Sequence, residues 1–232
     1  MARLIGVDVG GTFTDIVVLE RGSIRGRKVP TSPNQADGVA AAVSGDHADV
    51  FLHGTTAATN ALLEGRGARV ALVTDVGYED VIEIGRQDRP TLYDSLADRP
   101  GPLDRPELRF GFDDDPDELP AAVAAADPEV VALSRIGSYA DPDREVHLER
   151  QLGAVLGRPV LRSSLVSPEF REYERTATTV LSAYQTPSVA DYLGALDARL
   201  PMGRRLVMTS SGGLLPFSSA PALAGRLDHS GP

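Results

Sequence analysis

Apolar residues open the chain in two short runs, at about 3–9 and 15–20, and a third strand-like segment follows at 24–30, with Gly10-Gly11 after the first and Arg21-Gly22 after the second. Runs of that length with glycine turns between them predict strand–turn–strand, not strand–turn–helix. Pro30, Ser32 and Pro33 end the third segment. A short helix is expected over 35–44, with Val39 and Val43 on one face, then a strand at Val50-Phe51-Leu52. Thr55 to Leu63 has helical spacing at Ala58, Leu62 and Leu63, and Gly65 and Gly67 stand just beyond it, where glycines terminate helices. Val70–Val73 reads as the next strand. Residues 87–119 are rich in Pro, Asp and Arg with weak periodicity, and read as a solvated surface insertion.

Order resumes with a strand at Val130–Leu133, a helix from Pro142 to about Leu156 and a strand at Val160-Leu161. Ser167-Pro168-Glu169 has the cap, first-turn proline and acidic residue of a helix start. Phe170, Tyr173, Ala177, Val180, Leu181 and Tyr184 form its apolar stripe. Pro187 predicts a break or kink, after which Val189, Leu193, Leu196 and Leu200 continue as a second helical segment. Arg205–Met208 is strand-like and runs into the polar turn Thr209-Ser210-Ser211-Gly212-Gly213. Alternation of strands and helices makes the fold class α/β. The expected organisation is an α/β domain over 1–166, a helical crossover over 167–200 and the incomplete opening of a second domain over 201–232.

A formal net charge of -10 argues against a generic nucleic-acid surface. The absence of cysteine removes disulfides and thiolate metal sites. The first apolar run is soon interrupted by Asp8, no leader pattern precedes it, and no segment is long and apolar enough to span a membrane. The expected compartment is therefore the cytoplasm.

Candidate chemistry begins at Gly6-Val7-Asp8-Val9-Gly10-Gly11-Thr12-Phe13-Thr14-Asp15. A turn of this composition presents N–H groups and hydroxyls to phosphate, and its flanking carboxylates can hold a hydrated divalent cation. Neither the G-x-x-x-x-G-K-[ST] loop nor the G-x-G-x-x-G fingerprint occurs. The second cluster is Leu52-His53-Gly54-Thr55-Thr56-Ala57-Ala58-Thr59-Asn60, which joins a strand to a helix. Gly54 permits close backbone approach, Thr55 and Thr56 lie near the helix amino end, and His53 can orient a water, exchange a proton or simply be satisfied by a carbonyl. In Glu83-Ile84-Gly85-Arg86-Gln87-Asp88-Arg89, Arg86 and Arg89 suit a carboxylate or phosphate, with Asp88 the competing partner. In Glu169–Thr176, Arg171 with Glu174 and Glu172 with Arg175 stand at i,i+3 spacing, which stabilises a helix or makes a partly buried cluster at a domain crossing.

These segments together resemble the amino-terminal part of the A subunit or domain of hydantoinases and 5-oxoprolinases. The likeness runs from Leu4 to Pro232, through Gly6–Asp15, His53–Leu62, Glu83–Gln87 and Pro168–Arg175 in that order. The resemblance implies a ribonuclease-H-like domain of the actin-like ATPase fold, with a truncated second domain. It implies ATP and Mg2+ as cofactors, with Asp8 near the metal and Gly10, Gly11, Thr12 and Thr14 on phosphate. Asp8, Asp15 and His53 become candidate catalytic residues, Thr55 and Thr56 further nucleotide contacts, and Asn60, Arg86 and Arg89 candidates for the substrate or cleft. The implied reaction is ATP-dependent opening of a cyclic amide such as hydantoin or 5-oxoproline. A carboxylase-type subunit acting on acetone or acetophenone is the alternative, and a non-catalytic assembly or regulatory protein a third. The expected partner is the missing second domain or a complementary subunit, such as a hydantoinase B-like one. Family members often carry His-Ser-Tyr where this chain has Gly137-Ser138-Tyr139, and Asn where it has Ser211. They also continue past the Ser-Gly-Pro matched by Ser230-Gly231-Pro232 into a second phosphate motif, which this sequence does not contain.

Overall fold

The structure is a computed structural model and describes residues 2–87, 91, 93–94, 96–97, 101–113, 118–200 and 202–228. In chain order the elements are β1 (Leu4–Val9), β2 (Phe13–Glu20), β3 (Ser23–Pro30), α1 (Gln35–Ala42), β4 (Val50–Gly54), α2 (Ala57–Leu63), β5 (Val70–Asp75), α3 (Val81–Ile84), β6 (Arg109–Phe112), α4 (Leu119–Ala125), β7 (Val130–Ser134), α5 (Asp143–Leu156), β8 (Val160–Arg162), α6 (Ser163–Val166), α7 (Glu172–Asp197), β9 (Arg204–Met208) and β10 (Leu214–Pro216). Short 3-10 turns stand at Pro106–Leu108 and Pro221–Leu227. No helix among the described residues is long and apolar enough to cross a membrane.

The chain forms two compact units, one from residues 1–67 and 185–232, the other from 68–184. These limits differ from the divisions expected at 166 and 200. The first unit holds a six-stranded sheet in the order β10-β9-β4-β1-β2-β3. Its three opening strands are antiparallel neighbours, as the sequence pattern and the ribonuclease-H-like expectation require. β4 runs parallel to β1, and β9 parallel to β4. Residues 204–216, read from the sequence as the opening of a further domain, thus complete this first sheet. Val207 is buried beside His53, and Leu206 beside Leu52, so burial recruits the strand to β4.

Period-two alternation decides which face of the sheet packs. Ile5, Val7 and Val9 of β1 and Ile16 and Val18 of β2 join Val39 and Val43 near α1, and Val189, Leu193 and Leu196 of α7, in one apolar core. Pro187 lies inside α7 without ending it. The proline removes one helical hydrogen bond, but burial of Val189, Leu193 and Leu196 beyond it keeps the helix continuous, overriding the local signal. The same helix begins at Glu172, four residues after Pro168, the proline expected in its first turn.

The second unit holds a four-stranded parallel sheet, β6-β5-β7-β8, with α4 and α5 against it. Ala71, Val73, Val131 and Leu133 pack with Val123, Leu148 and Leu152. β5 and β7 are continuous apolar runs, which suits strands covered on both faces. Part of the 87–119 segment is not the solvated loop expected. Arg109–Phe112 pairs with β5, and Leu108 and Phe112 are buried in the core, so two apolar anchors in a polar stretch suffice to hold an edge strand.

Candidate functional site

The parallel strands β1 and β4 end side by side, and their register sets Asp8 opposite Gly54. On its other side Asp8 faces Asp15 of β2. Like charges directly opposite each other on adjacent strands destabilise a sheet. Burial, and then the charge of Asp15, raise the Asp8 carboxyl above its usual range. Asp15 is exposed and pairs with Lys28 at 3.3 Å. No cationic side chain makes an ion pair with Asp8 among the described residues. A half-buried carboxylate facing a second carboxylate, without its own counter-charge, fits a hydrated divalent cation brought in with phosphate, since magnesium is commonly held by one or two carboxylates and substrate phosphates. No group of three or more ligating side chains occurs among the described residues, so an all-protein metal cage is not what the residues offer.

The turn after β1 is closed by the Gly10 N–H donating to the Phe13 carbonyl at 3.0 Å. Gly11 and Thr12 stand exposed at its apex. Thr14, expected on phosphate, is buried instead, because position 14 alternates onto the core face of β2. Its hydroxyl donates to Thr31 Oγ1 at 3.1 Å, and Thr31 Oγ1 donates to the Gly10 carbonyl at 2.8 Å. The Thr31 N–H also donates to the Thr12 carbonyl at 3.0 Å. Thr14 thus braces the turn from below. Thr31 has the larger share of this bracing and was not singled out from the sequence, where it sits among loop residues between prolines.

Gly54 lies directly under the Asp8 side chain. A Cβ there would stand 2.5 Å from Asp8 Oδ1, so the Asp8 carboxylate leans over the backbone of β4. Gly54→Ala is expected to push the carboxylate off this position and weaken magnesium–nucleotide binding, with the fold retained. Calorimetric titration of the variant checks it, and unchanged affinity would show that the close approach has no role.

His53 is fully buried, and both ring nitrogens are engaged. The Val7 carbonyl is 3.1 Å from Nδ1 and can only accept, so Nδ1 carries the proton. Nε2 accepts from the Tyr192 hydroxyl at 2.7 Å. The Tyr192 oxygen in turn is hydrogen-bonded by Thr55, whose own oxygen accepts from the Ala57 N–H at 3.1 Å. Burial lowers the His53 pKa to about 4, only partly offset by the Val7 contact. His53 is therefore a neutral brace between β1, β4 and α7, not a solvent-facing acid or base. Tyr192 was likewise not singled out, because at sequence level it is one more aromatic on an apolar helix face.

A depressed histidine pKa has a defined pH signature. Between about pH 6.5 and about pH 4 the unfolded chain binds a proton at His53 and the folded chain does not. Stability contributed by this site is complete above the unfolded value and falls as pH drops through that window, by about 3 kcal/mol in all. NMR titration should show the His53 ring neutral down to about pH 4. A midpoint near 6.5 would rule out the buried, doubly bonded ring.

Thr56 caps α2 without a side-chain cap bond, and its Oγ1 accepts from Asn60 Nδ2 at 3.3 Å. Thr55, Thr56 and Asn60 therefore share the β4–α2 corner that follows Gly54. Arg86 belongs to the other unit, where it pairs with Glu174, with Nε at 2.6 Å. Arg89 lies outside the described residues. Of the helix pairs expected around 169–176, Glu172 with Arg175 forms, and Glu174 takes Arg86 as its hydrogen-bonded partner.

The glycine–hydroxyl turn, the half-buried carboxylate and the antiparallel opening of the sheet together characterise this α/β protein. The family model of the hydantoinase/oxoprolinase N-terminal region matches residues 4–155, and the chain belongs to that family. It is 34% identical, over its whole length, to 39% of the uncharacterized protein MJ0964 of Methanocaldococcus jannaschii. It is 31% identical to the acetophenone carboxylase gamma subunit of Aromatoleum aromaticum, over 94% of this chain and 36% of that protein. The crystal structure of ATP-dependent caprolactamase from Pseudomonas jessenii superposes with a TM-score of 0.76 at 28% identity, over 96% of this chain and 38% of that one. The chain thus spans under half the length of the relatives it matches, and shares their α/β fold of the actin-like ATPase type.

Proposed function

We propose that this chain supplies the first phosphate-binding half of an ATP-dependent enzyme that opens a cyclic amide. The observation that carries the reading is the Asp8 carboxylate, without a counter-charge, at the foot of the Gly10–Phe13 turn. Gly11 and Thr12 would meet phosphate oxygens through N–H and hydroxyl groups, while Thr14 and Thr31 hold the turn in shape. Asp8, with Asp15 behind it, would hold magnesium or its waters, and the ion would supply positive charge against the phosphates. His53 and Tyr192 keep the two strand ends in register and exchange no proton with substrate. ATP would activate the amide oxygen by phosphorylation. One water then opens the ring and another is consumed in releasing phosphate, leaving ADP and an amino acid. Asn60, Arg86 and Arg89 are retained as candidates for the substrate side, and the cytoplasm as the compartment.

The likeness to an acetophenone carboxylase subunit supports a second reading, in which a ketone is the acceptor. One experiment separates them. ADP release is measured with the chain alone, and then with the polypeptide that completes the family's second domain or subunit. Hydantoin, 5-oxoproline and caprolactam are tested singly, and acetophenone with bicarbonate. The expected result is lactam-dependent ADP release only in the completed protein. Release driven by acetophenone alone would favour the carboxylase reading. Stable assembly without any substrate-dependent release would favour a non-catalytic partner. Strong lactam-dependent release by residues 1–232 alone would overturn the half-site.

A further inference from the structure

One row of residues crosses the first sheet and changes character along its length. Lys28, Asp15 and Asp8 follow one another on β3, β2 and β1. Gly54 faces Asp8 on β4. One step beyond the last paired residues, His53 with Val207, Met208 of β9 comes level with Gly54, and Leu214 of β10 is paired with Met208. Residues paired in this way share a sheet face. The row is charged at β1–β3 and apolar at β9–β10, with a glycine gap between. Met208 and Leu214 are 41% and 48% exposed.

The turn joining β9 to β10 is held rigidly. The Ser210 N–H and hydroxyl both donate to the Arg226 carbonyl, at 2.8 and 3.0 Å. The Thr209 N–H donates to the Gly213 carbonyl, the Gly212 N–H to the Thr209 carbonyl, and the Gly213 N–H to Thr209 Oγ1, each at 2.9 Å. Gly212 takes a φ of 81°, which disfavours a side chain, and a Cβ there would meet nothing within 4 Å. Ser211 is left exposed at the apex, its hydroxyl 3.1 Å from Thr209 Oγ1. A hydroxyl that both donates and accepts therefore stands at the apex of a hairpin whose arms carry two exposed apolar side chains, on a turn with no charged group. That combination matches a small neutral ring with a carbonyl and an N–H on one edge and methylenes on the other.

Adjacent strands lie about 4.8 Å apart, so β9 stands roughly 10 Å from β1. That is too far for Ser211 to share a phosphate with Gly11 and Thr12. It leaves room between the two turns for a phosphoryl group and an acceptor in line with it, whose reacting atoms must approach to about 3–3.5 Å. We infer that Ser211, Met208 and Leu214 form the subsite for the phosphoryl acceptor, a neutral cyclic amide whose ring lies on Met208 and Leu214 and whose amide edge meets Ser211. This assignment rests on the phosphate-site reading above and adds the acceptor side to it.

The test uses the isotope-labelled chain and NMR. ATP–magnesium is added first, and caprolactam, the neutral probe, is then titrated. The expected result is movement of the Ser210–Leu214 amide signals and the Met208 methyl signal on adding caprolactam. Leu214→Glu and Ser211→Val, both at exposed positions, should each raise the caprolactam dissociation constant tenfold or more, with nucleotide-induced shifts at Gly10–Thr12 unchanged. Unmoved signals at 208–214 with caprolactam and with hydantoin, or equal affinity in both variants, would overturn the acceptor subsite. Failure of ATP–magnesium itself to move the Gly10–Thr12 signals would instead overturn the phosphate-site reading, whatever happens at 208–214.

Discussion

Asp8→Ala is expected to weaken magnesium–ATP binding by roughly 10- to 100-fold, the effect of losing one charge-assisted contact. The same carboxylate is a liability to the empty fold. Burial and the facing Asp15 raise its pKa in the folded chain above the ordinary value of 3.8. Between those two values the folded chain holds a proton that the unfolded chain has released, so the site favours folding at low pH and loses that contribution as pH rises through the folded value. Asp8→Asn, which keeps the shape and removes the charge, should therefore unfold at a higher temperature than the parent at neutral pH without nucleotide. The advantage should shrink on acidification towards the unfolded value. Saturating magnesium–ATP should reverse the order, because it stabilises only the chain that binds it. Calorimetric titration and thermal unfolding on the same two proteins check both halves. A variant that binds normally, or one less stable than the parent at neutral pH, would remove Asp8 from the role assigned to it.

Arg175→Met should be the most damaging single change to stability, at about 3–5 kcal/mol. The guanidinium is wholly buried in the second unit. Nε donates to Ser163 Oγ at 3.0 Å, Nη1 to the Glu169 carbonyl at 2.8 Å and Nη2 to the Arg135 carbonyl at 2.6 Å, with Glu172 as its ion-pair partner. The Ser163 hydroxyl donates to the buried Glu145 carboxylate at 2.7 Å and accepts from Ser138 at 3.0 Å. Glu145 also receives the Arg135 and Ser164 N–H groups, each at 2.8 Å. Methionine fills much of the volume but leaves the Glu169 and Arg135 carbonyls without this donor and Glu172 without its ion-pair partner. Arg175→Lys should recover only part of the lost stability, because an ammonium cannot reach the planar set of acceptors. With about 2–4 °C for each kcal/mol in a chain of this size, the melting temperature should fall by about 10 °C. A shift confined to 2 °C would mean that the network is dispensable. Of the two explanations open for the charged run at 169–176, the buried cluster is the one that Arg175 follows, while Arg171 and Glu174 stay at the surface.

The sequence by itself determined the parts of this protein that are local. Short runs in residues 4–30, with glycines at the turns, were enough to read three antiparallel strands, because strand and turn preferences act between near neighbours. The composition of Asp8–Asp15 located the turn, and the order of the motifs located the family. The depth of individual residues was less legible. Thr12 and Thr14 look equivalent on the page, yet one residue of pleat places Thr12 in solvent and Thr14 in the core. Likewise, nothing beside His53 in sequence announces Tyr192, which is 139 positions away and takes its second nitrogen.

Tertiary structure alone decided three further matters. Pro187 stays within a helix because apolar residues on its far side are buried, an energy that no local pattern contains. Leu108 and Phe112 turn part of a polar stretch into an edge strand, because β5 offers open hydrogen-bonding groups beside them. The strand at 204–208 belongs to the first sheet because β4, about 150 residues earlier, has a free edge and a matching apolar face. Each depends on contacts between residues far apart in the chain, whose free energy is realised only when both partners have already been brought together.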